Sequence, residues 1–566
     1  MKNKSVRVVA RITAQVGKFD ELKSILLDLV EQTRKENGCI SYQLLQNEAD
    51  PGDFTFVEEW ANDSAIDAHL TTPHVQDAFA KAASFIAKDP DIRRYSLMRS
   101  PGPNTKSIRN LYKFDSVPGS LQSKMPEVQP FHGLLEKEGH GYSNWGLSRS
   151  TTPAVYAEPV SYADIQAVVR DTQRFPSPVH PVGSLLSVTS TIVNDGGTMV
   201  CTRKLDEILG LEHDETGRHV VRVQAGCRLK KLNMWLQARG VEIPFQAEIG
   251  EATVGSVAVG DSKESSLDGP GYFSAHVVAL TYVDDKGNLR ALSGHKDGPV
   301  FYEFKCSFGL SGIVVECQIE VRPSTLCRSE VSLAAFESPE DLAAGLRRMR
   351  EESDALLAIV FLHQLASFFD QRYKAGLGLV TPASSQPACE QFRVAKRLAI
   401  QNGFEGVQVP QPKGIVYSRH DFVNEYWRPS AGERRLDFQY YEHDIAQLER
   451  VIVESYKFTK AFEEKTGFAP KGWATYFVQR PEKEKKPFGL YSGGSGVSFS
   501  FDPFCSNPVD PLWQQFAREY NIVAIHTLSG NASPIQTQWL QPGDVKIPEK
   551  LARPRFTTKY YEQFLD

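Results

Sequence analysis

Apolar and polar positions alternate at the start of the chain. Val6-Arg7-Val8-Val9-Ala10-Arg11-Ile12 carries much of the period-two pattern of a half-buried strand. Gly17 breaks that run. Phe19, Leu22, Ile25, Leu26 and Leu29 then recur at helical spacing, and Gly38 stops the helix. Strand-like runs at 40–45 and 54–60 flank the turn Asp50-Pro51-Gly52-Asp53. A second helix is expected from Asn62-Asp63-Ser64, carrying Ile66, His69 and Leu70, and a last strand near 94–98. The order strand, helix, strand, strand, helix, strand predicts a compact α+β unit over about the first hundred residues.

Residues 99–127 are rich in Pro, Gly, Ser and Lys without a sustained period, which predicts a linker. Beyond it, Ala157-Glu158-Pro159-Val160-Ser161 reads as a strand end followed by a helix N-cap. Ser161 is the capping residue and Asp164 lies in the first turn of a helix over 165–174. Pro176 and Pro178 lead to a strand and then to Val182-Gly183-Ser184-Leu185-Leu186-Ser187. A glycine and serines directly after a strand let backbone amides wrap a pyrophosphate, with hydroxyls as further donors. Leu229, Leu232 and Leu236 mark another helix, closed by the turn Arg239-Gly240. Glycine-containing blocks follow at 252–260 and 309–314. Strands are expected at 435–442, 473–480 and 496–501, with a helix at 445–456.

A chain of 566 residues predicts about three or four domains. With 41% apolar and 23% charged residues it has the make-up of packed globular proteins, and its net charge of -5 recommends neither nucleic acid nor an anionic membrane as a partner. No run approaches the ~18 apolar residues of a membrane span. The N-terminus lacks the apolar core of a secretory leader. The 8 cysteines show no CxxC spacing, so reduced thiols in the cytoplasm are expected and a structural metal is not.

Residues 5–98 resemble the antibiotic biosynthesis monooxygenase (ABM) domain, a ferredoxin-like dimeric barrel. The resemblance rests on Gly17-Lys18, Glu36-Asn37-Gly38-Cys39, Tyr42, Glu58-Glu59-Trp60 and the stretch from His69 to His74. It implies a module that dimerises the chain or docks substrate. The ordered blocks from Asn144-Trp145-Gly146 to Ile313-Val314 resemble the FAD-binding domain of the vanillyl-alcohol oxidase/p-cresol methylhydroxylase superfamily, nearest the aldonolactone oxidase branch. That resemblance implies an α+β FAD fold. Val182, Gly183, Ser184, Leu185, Leu186 and Ser187 would lie on the pyrophosphate. Thr253, Gly255, Ser256 and Gly260 would lie beside the flavin, and Ile313 near the adenine end. Leu186 occupies the position where many members carry a histidine bonded to the flavin. Leucine has no nucleophilic atom, so noncovalent FAD is expected. His180 falls outside the loop register and is read as a core or solvated histidine. After Thr253-Val254-Gly255 the chain departs from the family's glycine-rich turn, with Ser256 and then Gly260-Asp261-Ser262-Lys263-Glu264.

The expected domains are 1–100 (ABM-like), 101–127 (linker), 128–325 (FAD-binding, PCMH-type), 326–500 (an α+β substrate cap) and 501–566 (a segment returning to the FAD domain). Flavin oxidation of an alcohol needs a base within reach of the hydroxyl. The lactone-oxidase pattern supplies a Glu-x-Arg pair on a cap strand, but the 473–480 run has Tyr476 and no glutamate. The candidate bases are therefore Tyr476, Glu442 and His526, with Arg480 as an anion clamp. The expected function is oxidation of a C–OH or C–H bond of a small organic substrate, with O2 or another acceptor reoxidising FAD and a homodimer formed through the ABM domain. Two alternatives stand beside it. One is a sugar-lactone oxidase. The other is a bifunctional enzyme whose ABM domain is a cofactor-independent monooxygenase, with Trp60, His69 and His74 orienting its substrate.

Overall fold

The computed structural model describes residues 6–95, 131–137, 141–378, 414–418, 437–480 and 496–566, apart from positions 16, 48–49, 88–89, 246–248, 261, 264, 266 and 306. The expected linker therefore lies outside the described residues. The chain divides into two compact units, Met1–Ser123 and Lys124–Asp566.

In the first unit the elements are β1 (Val6–Thr13), α1 (Phe19–Thr33), β2 (Cys39–Asn47), β3 (Asp50–Trp60), α2 (Asp63–Leu70), α3 (Pro73–Ala82) and β4 (Asp91–Tyr95). The sheet has the order β2-β3-β1-β4, and every pairing is antiparallel. The period-two pattern of β1 is used as expected: Val8, Ala10 and Ile12 are buried with Leu22, Leu26 and Leu29 of α1. The Asn62 side chain caps α2 by accepting from the Ala65 amide. The sequence reading had no counterpart to α3. Pro73 is the first residue of that helix, where a missing N–H costs nothing. The last strand runs three residues earlier than expected, and residues 96–98 lie outside the described residues.

The second unit opens with a four-stranded sheet of β5 (Leu134–Lys137), β6 (Val155–Glu158), β7 (Val179–Val182) and β8 (Thr198–Cys201), in the order β5-β6-β8-β7. β8 pairs parallel with both β6 and β7. Between β6 and β7 runs α4 (Tyr162–Arg170), whose N-terminus is capped by Ser161 Oγ accepting from the Asp164 amide, as the sequence reading predicts. A five-stranded antiparallel sheet follows. Its strands are β9 (Ile208–His213), β10 (His219–Gln224), β11 (Val277–Val283), β12 (Leu289–Ser293) and β13 (Ile313–Glu320), in the order β9-β10-β13-β11-β12. Helices α5 (Leu229–Gln237) and α6 (Val254–Val259) contribute Leu232, Leu236, Val254 and Ala258 to one core with Val221, Val223 and Cys317.

Among the described residues the cap is a nine-stranded sheet. Its strands are β14 (Thr325–Ala335), β15 (Ala355–Phe361), β16 (Ala366–Leu377), β17 (Gly414–Ser418), β18 (Asp437–Phe438), β19 (Tyr441–Asp444), β20 (Gly472–Gln479), β21 (Val497–Cys505) and β22 (Asn531–Ala532). The path is β17-β14-β16-β15-β20-β21-β19-β22, with β18 pairing β21. Helices α7 (Pro339–Glu351), α8 (Leu448–Thr466) and α9 (Pro511–Asn521) cover one face through an aromatic core that includes Trp473, Phe501, Phe516 and Tyr520. The expected division at residue 500 runs through β21, and the sheet continues to Ala532. The residues after it return to the first half of the unit. Arg555 donates to the carbonyls of Val168 (2.7 Å) and Val169 (3.1 Å), and the hydroxyls of Tyr561 and Thr191 share a hydrogen bond.

Candidate active site

A cavity of 330 Å³ lies between the loop after β7, the 252–260 segment and cap strands β20 and β21. The loop sits at the carboxyl end of parallel strands, where α/β sheets bind ligands. Gly183 allows its close approach to α6, because a Cβ there would stand 2.2 Å from Thr253 Oγ1. Gly255 is required in the same way, since a Cβ would meet that of Ala225 at 2.8 Å. Gly260 packs against the Ser256 carbonyl. Leu185 takes a left-handed backbone (φ 56°), which turns the loop sharply. Among the described residues, the amides of 184–187 have no acceptor in the protein, so the loop presents a row of unused donors to the cavity.

The serine hydroxyls do not add to that row, contrary to the sequence reading. Ser184 Oγ donates to the Glu251 carbonyl (2.6 Å) and Ser187 Oγ to the Ile535 carbonyl (2.6 Å). They fix the loop to its neighbours, and their protons are already engaged. Ser256 Oγ likewise donates to the Thr253 carbonyl at 2.8 Å. Ile313 is also corrected. It is fully buried with Val155, Val179 and Val315, while its neighbours Gly312 and Val314 line the cavity. Strand alternation sends its side chain to the other face.

Leu186 and His180 both line the cavity. His180 is buried, and burial pushes its pKa down to about 4, so the imidazole is neutral.

At the cap end, Tyr476 on β20 lines the cavity together with Tyr440, Lys263 and Asp502. Lys263 Nζ stands 3.3 Å from Asp502 Oδ2 and 3.1 Å from the Tyr440 ring centroid. Both charged side chains are only 5% exposed. Asp502 also accepts from the Tyr441 amide (3.0 Å), and burial raises its carboxyl above the ordinary carboxylate range. Three expected site residues fall elsewhere. Glu442 is buried behind the cavity wall, where the Tyr272 and Tyr440 hydroxyls donate to Oε2 and Arg480 Nε to Oε1 (3.3 Å). Arg480 is taken up by Glu442 and Asp444 (3.3 Å), so its charge is neutralised inside the protein rather than offered to an anion. His526 is 56% exposed, pairs with Asp544 at 2.9 Å and does not line the cavity.

Lys263, Asp502 and Tyr440 were not singled out as site residues from the sequence. The signals for them are a lysine inside the departing 260–266 segment and the one charged residue of the strand Val497–Cys505. An acid-x-Arg pair does stand on a cap strand, as Asp370-Gln371-Arg372 on β16. Arg372 Nε donates to Asp370 Oδ2 at 2.9 Å. Leu357 faces both Asp370 and Tyr476 across neighbouring strands, which puts all three on one face of the sheet.

In the first unit a smaller apolar cavity of 40 Å³ is lined by Tyr42, Phe56, Glu58 and His69. Burial raises the Glu58 carboxyl, which accepts from Trp60 Nε1 at 2.8 Å. Trp60 is fully buried with its N–H committed, so neither it nor His74 lines that cavity.

Residues 5–81 match the antibiotic biosynthesis monooxygenase family, and residues 153–293 match the FAD binding domain family. The chain carries an ABM domain followed by an FAD binding domain. D-arabinono-1,4-lactone oxidase of Eremothecium gossypii is 31% identical over 198 residues, covering 35% of this chain and 37% of that one. L-galactono-1,4-lactone dehydrogenase 1 of Oryza sativa is 26% identical over 253 residues, 44% of this chain and 41% of that one. The chain thus spans well under half the length of these curated relatives. Cholesterol oxidase from Brevibacterium sterolicum shares the fold, with a TM-score of 0.57 at 13% identity over 78% of this chain and 99% of that one. The expected order of an ABM domain followed by an α+β FAD-binding domain is the one found. Unused amides at the loop and glycines that admit close approach suit the pyrophosphate of FAD, with the cap end of the cavity left for a second ligand.

Proposed function

We propose that the chain is an FAD-dependent oxidase of a small organic alcohol, holding the flavin noncovalently and passing electrons to O2. The observation that carries this reading is that the buried Lys263–Asp502 pair opens into the same cavity as the amide-lined loop. FAD, when bound, supplies the hydride acceptor. Lys263 holds the substrate oxygen by charge-assisted hydrogen bonding, and Asp502, a stronger base than a solvated carboxylate, takes the hydroxyl proton. Tyr440 and Tyr476 flank the lysine, while Trp145, Phe438 and Phe504 give the cap end an aromatic wall. This wall favours a substrate with an apolar body over a polyhydroxylated lactone. The test is anaerobic reduction of the bound flavin by matched panels of aldonolactones and aromatic or alicyclic alcohols. Bleaching by the apolar alcohols supports the reading, and bleaching by lactones alone replaces it with the sugar-lactone alternative.

A second reading, a bifunctional enzyme, draws on the separate cavity beside Glu58 and His69 in the ABM domain. Full-length protein carrying Lys263→Met and Asp502→Leu discriminates the two. Oxygen uptake with electron-rich phenols that survives this change belongs to the ABM domain.

A further inference from the structure

We propose that the ABM domain holds a divalent transition-metal site formed by Glu36, His69 and His74. The three residues come from different elements: the turn after α1, the last turn of α2 and the first turn of α3. Their ligand atoms all lie within 4.8 Å of one another. Both imidazoles converge on a single oxygen, with His69 Nδ1 at 2.8 Å and His74 Nε2 at 2.7 Å from Glu36 Oε1. The remaining polar contact is Thr72 Oγ1, 3.4 Å from His74 Nε2. Among the described residues Glu36 Oε2 has no partner, so the carboxylate has a second oxygen to give.

The residue types and spacing suit zinc or a similar first-row ion. Such an ion binds imidazole nitrogen and carboxylate oxygen at about 2.0–2.2 Å, which places neighbouring ligand atoms roughly 3.0–3.4 Å apart. Binding lengthens both N···O distances by a few tenths of an ångström and brings the two nitrogens, which lie within 4.8 Å of each other, to a similar separation. The rings must then turn lone pairs to the ion, which puts the His69 proton on Nε2 and the His74 proton on Nδ1. The His69 side chain is only 5% exposed, so it is held in place by its surroundings. Glu36 and His74 keep 13% and 19% exposure, so an ion can enter from solvent. Two imidazoles and one carboxylate leave coordination positions open, the arrangement of reactive rather than closed structural sites. His69 also lines the apolar cavity, so the ion would stand beside it. The cysteine spacing that argued against a metal does not bear on this set, which has no sulfur.

The experiment loads the full-length flavoprotein with Zn2+, desalts it and counts zinc by elemental mass spectrometry, with X-ray absorption at the zinc edge. Wild type is expected to retain one equivalent more than the E36Q H74A variant, with nitrogen and oxygen neighbours and no sulfur. Changing His213 and His219, which stack on each other on β9 and β10, should leave that equivalent in place. Circular dichroism of the variant against wild type checks that it is folded. Equal zinc in wild type and E36Q H74A, or a sulfur-containing shell, overturns the proposal.

Discussion

Burying Lys263 and Asp502 together makes each charge depend on the other. Removing one partner strands a desolvated charge and costs about 3–5 kcal/mol, whereas an apolar pair of similar volume is close to neutral. Asp502→Asn should therefore lower both the thermal midpoint and kcat, the latter by about 10²–10⁴-fold if Asp502 is the base. Lys263→Met with Asp502→Leu should regain the thermal midpoint without regaining turnover. Recovery of both would show the pair to be structural only.

Buried histidines set a second residue-level expectation. His180 and His443 are both held near pKa 4 by burial, against an ordinary 6.5. Above pH 6.5 each ring is neutral whether the chain is folded or not, and their stabilising contribution is complete. As pH falls toward 4 the unfolded chain takes up protons that the folded chain refuses, which removes about 3 kcal/mol per histidine. Asp437, raised to about 6 by burial, works the other way and is most favourable when protonated. Chemical denaturation from pH 7 to 4 should show a net fall in stability, shallower in His443→Phe and steeper in Asp437→Asn. A slope unchanged by either variant contradicts the assignment.

At the scale of elements, the loop after β7 was legible because its signals are local. A strand, a glycine and small residues follow one another within a few positions, and Ser161 announces α4 in the same way. Its glycine can be tested directly. Gly183→Ala forces a methyl onto Thr253 Oγ1, which should weaken FAD retention on gel filtration. Adding Thr253→Ala removes the nearest atom and should restore part of it, while no recovery would place the defect elsewhere.

The catalytic end of the cavity was not legible for the opposite reason. Lys263 and Asp502 are 239 residues apart and meet only through the fold. Glu442 and Arg480 looked catalytic by type, and the structure pairs them with each other. Residue type announces charge but not which side of a wall the charge stands on. Likewise Asp370-x-Arg372 carries aspartate rather than glutamate and stands on β16 rather than on the 473–480 strand, so the family pattern does not point to it. In the ABM domain, α3 begins at Pro73, a residue that starts helices at the first turn.

At the scale of the molecule, the ABM and flavin units serve one enzyme if the first organises copies of the second. The ABM-fold resemblance leads us to propose a homodimer through that domain. Val9 and Val57 pair on the sheet surface away from the helices, next to the Arg7–Glu59 ion pair. Sedimentation equilibrium should give twice the chain mass of 63.2 kDa, and Val9→Glu with Val57→Lys should halve it while leaving flavin content unchanged. A monomer in the wild type removes this role.

The proposed oxidation presupposes FAD held in the 330 Å³ cavity without a covalent bond. The most direct measurement is the visible spectrum of the purified chain before and after acid precipitation. The account predicts close to one FAD per chain, all of it in the supernatant, because Leu186 offers no nucleophile. A colourless protein that gains no flavin on incubation with FAD would contradict it. So would yellow colour staying with the pellet, with loss of that colour in His180→Ala naming the attachment point.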